Sequence, residues 1–207
     1  MNPYIFLPEA IVLDAGDYPT HQIPKQLLAA ADKVVCCDGA TLSFIQDGQV
    51  PWRIIGDGDS LPTALKEEYA PIFRQIPEQE TNDQTKAVRY LHQHQINRIA
   101  ILGATGKRED HTLGNISLLI EYMKKGLDVR MFTDHGVFIP CQGKNSWEVP
   151  VGTQVSIFSF GVKDLKGNGL QYPLSDFTNW WQGTLNQATA SSITLEGEGN
   201  YLLFFKY

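Results

Sequence analysis

Two patterns of apolar and polar positions divide this chain. Through residue 140 or so, short apolar runs alternate with segments in which apolar residues recur at helical spacing. Strands are predicted at residues 10–13, 34–37, 54–55, 99–102 and 129–132. Helical spacing is found at Ile23, Leu27 and Ala30, and again at Leu113, Ile116, Ile120 and Met123, with Gly126 as a stop. This alternation predicts a layered, Rossmann-like α/β domain whose functional sites lie at the carboxyl ends of parallel strands.

The pattern changes after Pro140 and Gly143, where the helical spacing disappears. Strands are predicted around Trp147 and Val149 and at residues 155–160, 192–195 and 201–205, separated by Gly, Asn, Asp and Pro. We therefore predict an α/β domain over residues 1–140 and a smaller all-β, sandwich-like domain over residues 144–207. A β unit of about sixty residues is marginal alone, so we expect it to pack on the first domain or on a second chain.

Composition narrows the class of protein. The 207 residues are 43% apolar, enough for a real core, and the net charge of −6 without a basic run argues against a nucleic-acid surface. No apolar stretch approaches the length of a membrane span, and the N-terminus lacks the basic and apolar blocks of a secretory signal. The three cysteines, Cys36, Cys37 and Cys141, have neither disulfide-framework nor zinc-site spacing. We expect a reduced, cytoplasmic protein with no membrane or nucleic-acid partner.

The most informative segment is the run Ile-Ile-Gly-Asp-Gly-Asp-Ser at residues 54–60. Asp57 and Asp59 stand two apart after a predicted buried strand, so an extended backbone would turn both carboxylates to one side. Like charges held together are unfavourable unless a hard cation compensates them. The pair therefore indicates Mg²⁺ at the edge of the sheet, and with it phosphate chemistry. A tight turn without a ligand is the alternative, since Asp and Gly are also turn residues.

Two other segments place acidic residues at predicted sheet edges. Asp38-Gly39-Ala40 follows the strand at residues 34–37, and Asp38 could serve there as a ligand or as a helix N-cap. Residues 79–87, Gln-Glu-Thr-Asn-Asp-Gln-Thr-Lys-Ala, open a predicted helix, where Asn82 or Asp83 could be a cap. Each segment taken alone leaves the structural and the functional interpretation open.

A glycine-rich loop lies between a predicted strand and a predicted helix at residues 102–115, Leu-Gly-Ala-Thr-Gly-Lys-Arg-Glu-Asp-His-Thr-Leu-Gly-Asn. This arrangement aims backbone N–H groups at an anion. It is not a Walker A loop, because Gly103 and Gly106 are too close and Arg108 stands where Ser or Thr should follow the lysine.

Taken together and in order, these segments resemble one family, the thiamine pyrophosphokinases. The family patterns are Asp-Gly-Gly-Ala, Gly-Asp-x-Asp-Ser, Gln-Asp-x-Thr-Asp and Gly-Ala-x-Gly-Gly-Arg-x-Asp-His-x-x-x-Asn, matched here by residues 38–40, 56–60, 79–83 and 103–115. Residues 169–174 resemble the family's Gly-Leu-x-Trp/Tyr-x-Leu segment, and Leu185-Asn186 falls near its Ser-Asn pair. Lys107, Asn82 and Leu185 depart from the pattern, and none of them is a proposed metal ligand.

The resemblance implies Mg²⁺-dependent transfer of pyrophosphate from ATP to thiamine, giving thiamine diphosphate and AMP. It implies metal ligation by Asp57, Asp59, Asp38 and Asp83, and catalysis by Asp57, Asp59, Asp83 and Arg108. It implies ATP contacts from Asp38, Thr105, Gly106, Arg108, Asp110, His111 and Asn115, and thiamine contacts from Gln79, Tyr172 and Asn186. It also implies a homodimer, in which the β domain contributes to the thiamine site and to the dimer interface.

Two alternatives remain at this point. A pyrophosphokinase for another alcohol, such as a pterin, would keep the fold and change the acceptor. A catalytically silent nucleotide-sensing protein would keep the fold alone, but Asp57, Asp59 and Asp83 count against it, since a silent domain has no physical need to hold uncompensated acids together. The sequence does not decide whether Asp83 or Asp57 accepts the proton of the alcohol.

Overall fold

The computed structural model describes residues 1–207 and divides into two compact units. The α/β unit comprises Leu7–Leu118 and Gly126–Asp134, and the β unit comprises Met1–Phe6, Leu119–Lys125 and His135–Tyr207. None of the helices combines the length and the apolar character that crossing a bilayer requires.

The α/β unit contains a parallel sheet. Its strands are β1 (Ala10–Leu13), β2 (Val34–Cys37), β3 (Arg53–Gly56), β4 (Phe73–Gln75), β5 (Arg98–Leu102) and β6 (Asp128–Phe132). They lie in the order β6-β5-β1-β2-β3-β4, and all of the pairs are parallel. Every residue of β1 and β2 is buried, as expected for central strands covered on both faces. The strand order reverses at β1, which makes the β1–β5 boundary the switch point where ligands bind in such sheets.

The helices are α1 (Gln22–Ala30), α2 (Thr41–Gln46), α3 (Thr63–Glu68), α4 (Asp83–Gln93) and α5 (Glu109–Lys124). Helix α4 packs against β1, β2 and β3 and buries Ala87, Val88 and Leu91. Its first residue is fixed by Asn82, whose side chain accepts a hydrogen bond from the Thr85 N–H at 3.0 Å. Such a cap contributes about 1 kcal/mol and holds the start of α4 at the edge of the sheet.

The predicted fold class is confirmed, and the five strands predicted in this unit occur within one residue at each end. Strand β4 was not predicted, because this short edge strand is only partly buried and carries no apolar run. The predicted apolar faces of two helices were partly wrong. In α1 the buried residues are Pro24 and Leu28 rather than Ala30, and in α5 Leu113 is exposed. The neighbours that cover a helix decide its buried face, and spacing alone does not reveal them.

The β unit is antiparallel. Its strands are β7 (Gly136–Gln142), β8 (Asn145–Glu148), β9 (Gln154–Asn168), β10 (Asn186–Gln187) and β11 (Ser192–Lys206). They lie in the order β10-β9-β11-β7, and β8 pairs with the first four residues of β11. Fully buried residues of β11, including Tyr201, Leu203 and Phe205, form much of this core.

The two strands predicted at residues 192–195 and 201–205 are one strand, β11, and β9 also runs well past its predicted end. The pairing of β11 with β9 shifts register between Glu196 and Glu198 and between Asn200 and Tyr201. Gly199, at φ +106°, adopts a conformation that favours glycine and lets the strand continue through this irregularity. The glycines interpreted as breaks therefore lie inside a long strand, next to the shifts in register.

Candidate active site

A cavity of about 490 Å³ opens at the carboxyl edge of the parallel sheet. Its lining comes from the end of β2, from the segments after β1, β3, β4 and β5, and from the first turn of α4 and the first two turns of α5. The first turns of helices and the ends of parallel strands both present polar groups, so this position suits an anionic ligand. All lining residues belong to the α/β unit.

Three carboxylates converge beside this cavity. Asp38 is buried, Asp57 is partly buried and Asp59 is exposed, and one oxygen from each lies within 4.8 Å of the others. The backbone between Asp57 and Asp59 is a turn rather than the predicted extended segment: Gly58 has φ +85°, and the Asp59 N–H donates to Asp57 Oδ1 at 3.0 Å. The turn itself brings the two carboxylates together, so the two interpretations of this run are compatible.

Hydrogen bonds fix the cluster and separate its pKa values. The Gly58 N–H donates to Asp38 Oδ2 at 2.8 Å, which joins the turn at Asp38–Ala40 to the turn after β3. Burial, together with the charge of Asp83, raises the pKa of Asp38 to about 6. The Asp59 N–H and the Gln79 side chain, whose Nε2 donates to Asp57 Oδ2 at 2.7 Å, lower the pKa of Asp57 to about 2. Asp57 is thus ionised at neutral pH, as a cation ligand must be.

Lys86 is a buried cation in the cavity lining. Its side chain is 2% exposed, and its Nζ lies 3.0 Å from Asp83 Oδ1. Burial opposes the charged form of Lys86, but the hydrogen bond and charge of Asp83, with the charge of Asp57, outweigh it and raise the pKa of Lys86. Lys86 was not predicted as a site residue. Its position three residues after Asp83, in the first turn of α4, is the signal that could have found it.

The loop after β5 is fastened to the loop after β1. The Gly16 N–H donates to the Gly103 carbonyl at 2.6 Å, and the Asp17 N–H donates to the Thr105 carbonyl at 2.8 Å. Lys107, which replaces the second glycine of the family pattern, donates from Nζ to the Ala15 carbonyl at 2.7 Å. The side chain of Lys107 therefore connects the two loops at the switch point by a hydrogen bond.

Arg108 and Asp110 form an exposed ion pair at the rim. Arg108 Nη2 lies 2.6 Å from Asp110 Oδ2, and Arg108 Nε donates to Asp110 Oδ1 at 3.1 Å. The hydrogen bonds from Arg108 lower the pKa of Asp110. The carboxylate aligns a guanidinium whose planar fork suits phosphate oxygens.

Asn115 is buried and already hydrogen bonded. Its Oδ1 accepts from Asn82 Nδ2 at 2.8 Å, and its Nδ2 donates to the Ala104 carbonyl at 3.0 Å. These bonds tie the starts of α4 and α5 to the end of β5. Asn115 thereby holds the shape of the cavity wall that it lines.

Tyr172 and Asn186 lie in the β unit. The side chain of Asn186 is buried and engages the backbone of Tyr172 twice: Oδ1 accepts from the N–H at 3.1 Å, and Nδ2 donates to the carbonyl at 2.9 Å. The Tyr172 side chain is exposed. Asn186 thus fixes the backbone of Tyr172.

The structure brings most of the predicted site residues of the α/β unit to one cavity. The lining includes Asp57, Asp59, Gln79, Asp83, Thr105, Arg108, His111 and Asn115. Asp38 is connected to it through the carboxylate cluster, whereas Gly106 and Asp110 neighbour lining residues without being among them. Lys86 and Asp14 also line the cavity, although neither was predicted as a site residue.

Comparison with known families decides the relationship. The family model described as "Thiamin pyrophosphokinase, catalytic domain" matches residues 24–131, just over half of the chain. The chain belongs to the thiamine pyrophosphokinase family. A second model, "Thiamin pyrophosphokinase, substrate-binding domain", matches residues 136–204. The resemblance seen in the sequence segments is confirmed, and with it the family reaction, ATP-dependent transfer of pyrophosphate to thiamine.

Individual relatives of the thiamine pyrophosphokinase family agree. Thiamine pyrophosphokinase of Bacillus subtilis (strain 168) is 27% identical over 148 residues, 67% of this chain and 69% of the relative. A crystal structure of the Bacillus subtilis enzyme has a TM-score of 0.78 at 21% identity, covering 95% of this chain and 98% of that chain. The structure of thiamin pyrophosphokinase from Candida albicans has a TM-score of 0.80 at 17% identity, covering 100% of this chain and 92% of that one. At these identities the structural matches establish the shared fold.

Proposed function

We propose that this chain carries out Mg²⁺-dependent transfer of pyrophosphate from ATP to thiamine, giving thiamine diphosphate and AMP, at the cavity of its α/β unit. The observation that carries the proposal is the convergence of the Asp38, Asp57 and Asp59 carboxylates within 4.8 Å at the carboxyl edge of the sheet. The basic groups of Lys86, Lys107 and Arg108 surround the same cavity. Polyphosphate transfer needs carboxylates that bind a metal cation and positively charged groups that bind phosphates, and this cavity has both.

The carboxylate cluster fits a hard divalent cation, because its donors are all oxygens and Asp57 is ionised. Asp38, Asp57 and Asp59 would hold Mg²⁺, with Asp83 nearby. When bound, Mg²⁺ would neutralise charge on the polyphosphate and help to orient it.

The remaining charged groups divide the other tasks. Lys86, buried and kept protonated by Asp83, faces the charge that develops during transfer, and Arg108 contributes its forked guanidinium from the rim. Thr105, Gly106 and His111 would contact the nucleotide phosphates, while Asn115 and Asp110 hold the loop and Arg108. A carboxylate with a pKa of about 2 is a poor proton acceptor, so we assign Asp57 to the metal and Asp83 to the hydroxyl proton of thiamine.

In the β unit, we propose that the exposed ring of Tyr172 stacks on a thiamine ring. Asn186 and Gln79 then act indirectly in thiamine binding, because Asn186 fixes the backbone of Tyr172 and Gln79 holds Asp57. The free, buried state of Cys36, Cys37 and Cys141 supports a reducing compartment, and we propose the cytoplasm.

The product of the reaction tests the proposed function. Protein incubated with ATP, Mg²⁺ and thiamine should form AMP and thiamine diphosphate in equal amounts, measured by ³¹P NMR or by chromatography. A hydroxymethyl pterin in place of thiamine serves as the matched acceptor control and should give no AMP. Formation of ADP would contradict pyrophosphoryl transfer, and AMP formed only with the pterin would favour the other acceptor.

We also propose a homodimer, supported by apolar side chains exposed on the β unit. Trp181 is 73% exposed and Leu185 is 75% exposed, and Tyr172 belongs to the same unit. Sedimentation equilibrium should give twice the 23.2 kDa of one chain, and Trp181→Ser should shift the protein toward the monomer. A wild-type mass of one chain at micromolar concentration would exclude the dimer.

A further inference from the structure

Asp14 is a buried carboxylate in the wall of the cavity. It follows β1 directly, is 7% exposed and lines the cavity, yet it lies outside residues 24–131, which the catalytic-domain model matches. Its Oδ1 accepts a hydrogen bond from Cys37 Sγ at 2.8 Å, and its Oδ2 is buried with no hydrogen-bond partner in the protein. A buried carboxylate oxygen without a donor is costly, which points to a donor supplied by a ligand.

The position of Asp14 restricts the chemistry of that donor. Burial, together with the negative charge of Asp83, raises the pKa of Asp14 to about 7. The site therefore disfavours negative charge, and a phosphate group would be repelled there. The thiol proton of Cys37 points at the carboxylate, an arrangement that a metal ion on Asp14 would disfavour. A neutral hydrogen-bond donor meets both restrictions.

The fold indicates which part of a substrate supplies the donor. Asp14 lies at the β1–β5 switch point, and its hydrogen-bond partner Cys37 immediately precedes Asp38 of the carboxylate cluster. With the phosphates at that cluster, the next group along ATP is the ribose. Thiamine is the less suitable source, because the substrate-binding domain model matches residues 136–204 rather than this unit.

Given the proposed reaction with ATP, we infer that Asp14 binds a ribose hydroxyl group of the nucleotide through Oδ2. A hydrogen bond to a buried carboxyl oxygen that otherwise has no partner is worth roughly a 10- to 100-fold difference in affinity. Asp14 is therefore a nucleotide-binding residue that favours ribonucleotides.

The experiment compares ATP, 2′-deoxy-ATP, 3′-deoxy-ATP and purine riboside triphosphate as substrates of the full-length protein. For the wild type, at least one deoxy analogue should lose roughly 10- to 100-fold in kcat/KM. Purine riboside triphosphate, which keeps the ribose and lacks the amino group, should change much less. In Asp14→Ala the value of kcat/KM should fall for ATP and stay nearly the same for the deoxy analogue. The ratio of the two kcat/KM values should therefore approach one, while the KM for thiamine is unchanged. Asp32→Ala, a change at an exposed aspartate, should keep the wild-type ratio.

Several outcomes would overturn the inference. One is wild-type protein with the same kcat/KM for ATP and for both deoxy analogues. Another is Asp14→Ala protein that still prefers ATP to the deoxy analogues. A third is a larger loss of kcat/KM with purine riboside triphosphate than with either deoxy analogue. An unchanged ratio with a raised Mg²⁺ requirement in Asp14→Ala would instead identify a metal ligand. If Asp14→Ala does not fold, Asp14→Asn takes its place, because it keeps the size of the side chain and replaces one carboxylate oxygen with an amide donor; wild-type discrimination that persists in Asp14→Asn would overturn the inference.

Calorimetric binding of the same nucleotides without thiamine separates this inference from the proposed function. Ribose discrimination in binding without any AMP formation would reject the reaction and keep the role of Asp14. AMP formation without a preference for the ribonucleotide would support the reaction and reject the role of Asp14.

Discussion

Asp57→Asn is expected to lower the rate of pyrophosphoryl transfer by roughly 10³-fold or more while the protein keeps its fold. The change removes the ionised carboxylate of the cluster and keeps the shape and the Oδ1 acceptor used by the Asp59 N–H. A bound metal supplies several kcal/mol of transition-state stabilisation, and about 1.4 kcal/mol corresponds to a factor of ten. The measurements are AMP formation at saturating ATP and thiamine, and thermal melting with and without Mg²⁺.

The matched control is Asp32→Asn, the same chemical change on an exposed aspartate outside the cavity. It should retain wild-type activity, and its melting temperature should rise with Mg²⁺ as in the wild type. The Asp57→Asn protein should show little of that rise. Near-normal turnover in a folded Asp57→Asn protein would remove this residue from the metal site.

Lys86→Met is expected to reduce activity by roughly 10²- to 10³-fold, the range found when one preorganised electrostatic group is removed from an active site. It should also destabilise the fold, because the variant keeps the Asp83 carboxylate near Asp38 without its cation. Breaking a fully buried ion pair costs about 3–5 kcal/mol. Since the Asp83 side chain is 30% exposed, we expect Lys86→Met to lower the free energy of unfolding by about 2 kcal/mol, measured by urea unfolding.

A second change separates the two effects of Lys86→Met. The double variant Lys86→Met/Asp83→Asn no longer carries an unpaired charge, so it should recover most of the lost stability and none of the activity. Lys124→Met is the control: Lys124 forms the same type of pair with Glu121 at 2.9 Å, but on the surface. Its effect on the free energy of unfolding should stay below about 1 kcal/mol. Equal effects of Lys86→Met and Lys124→Met would contradict the role of burial.

Local patterns were sufficient for much of the α/β unit. The apolar runs of β1 and β2 matched the strands residue for residue, because strands buried on both faces are continuous apolar segments. The acidic and glycine-rich segments were located at strand ends by the same reasoning. In a parallel sheet the carboxyl ends share one edge, so segments distant in the sequence could be predicted to meet there.

Patterns were less sufficient where pairing decides conformation. Gly197 and Gly199 were interpreted as a break between two strands, yet here β9 pairs on both sides of them and β11 continues through a shift in register. Strand β4 exists because β3 offers an edge to pair with, and its own residues carry little signal.

The sequence by itself determined the family, the α/β and β composition, and the set of acidic residues offered to a metal, because these depend on short segments whose residue types have few physical roles. The tertiary structure alone decided how the polar groups are partnered. It turned Asn186 and Asn115 toward backbone groups and buried Lys86 against Asp83. It also left one buried oxygen of Asp14, a residue of the cavity wall, without a hydrogen-bond partner. The residues that bury a side chain or form hydrogen bonds with it come from segments far apart in the sequence. These contacts set its charge and decide whether it is free to bind a ligand, whereas the local pattern gives only its residue type.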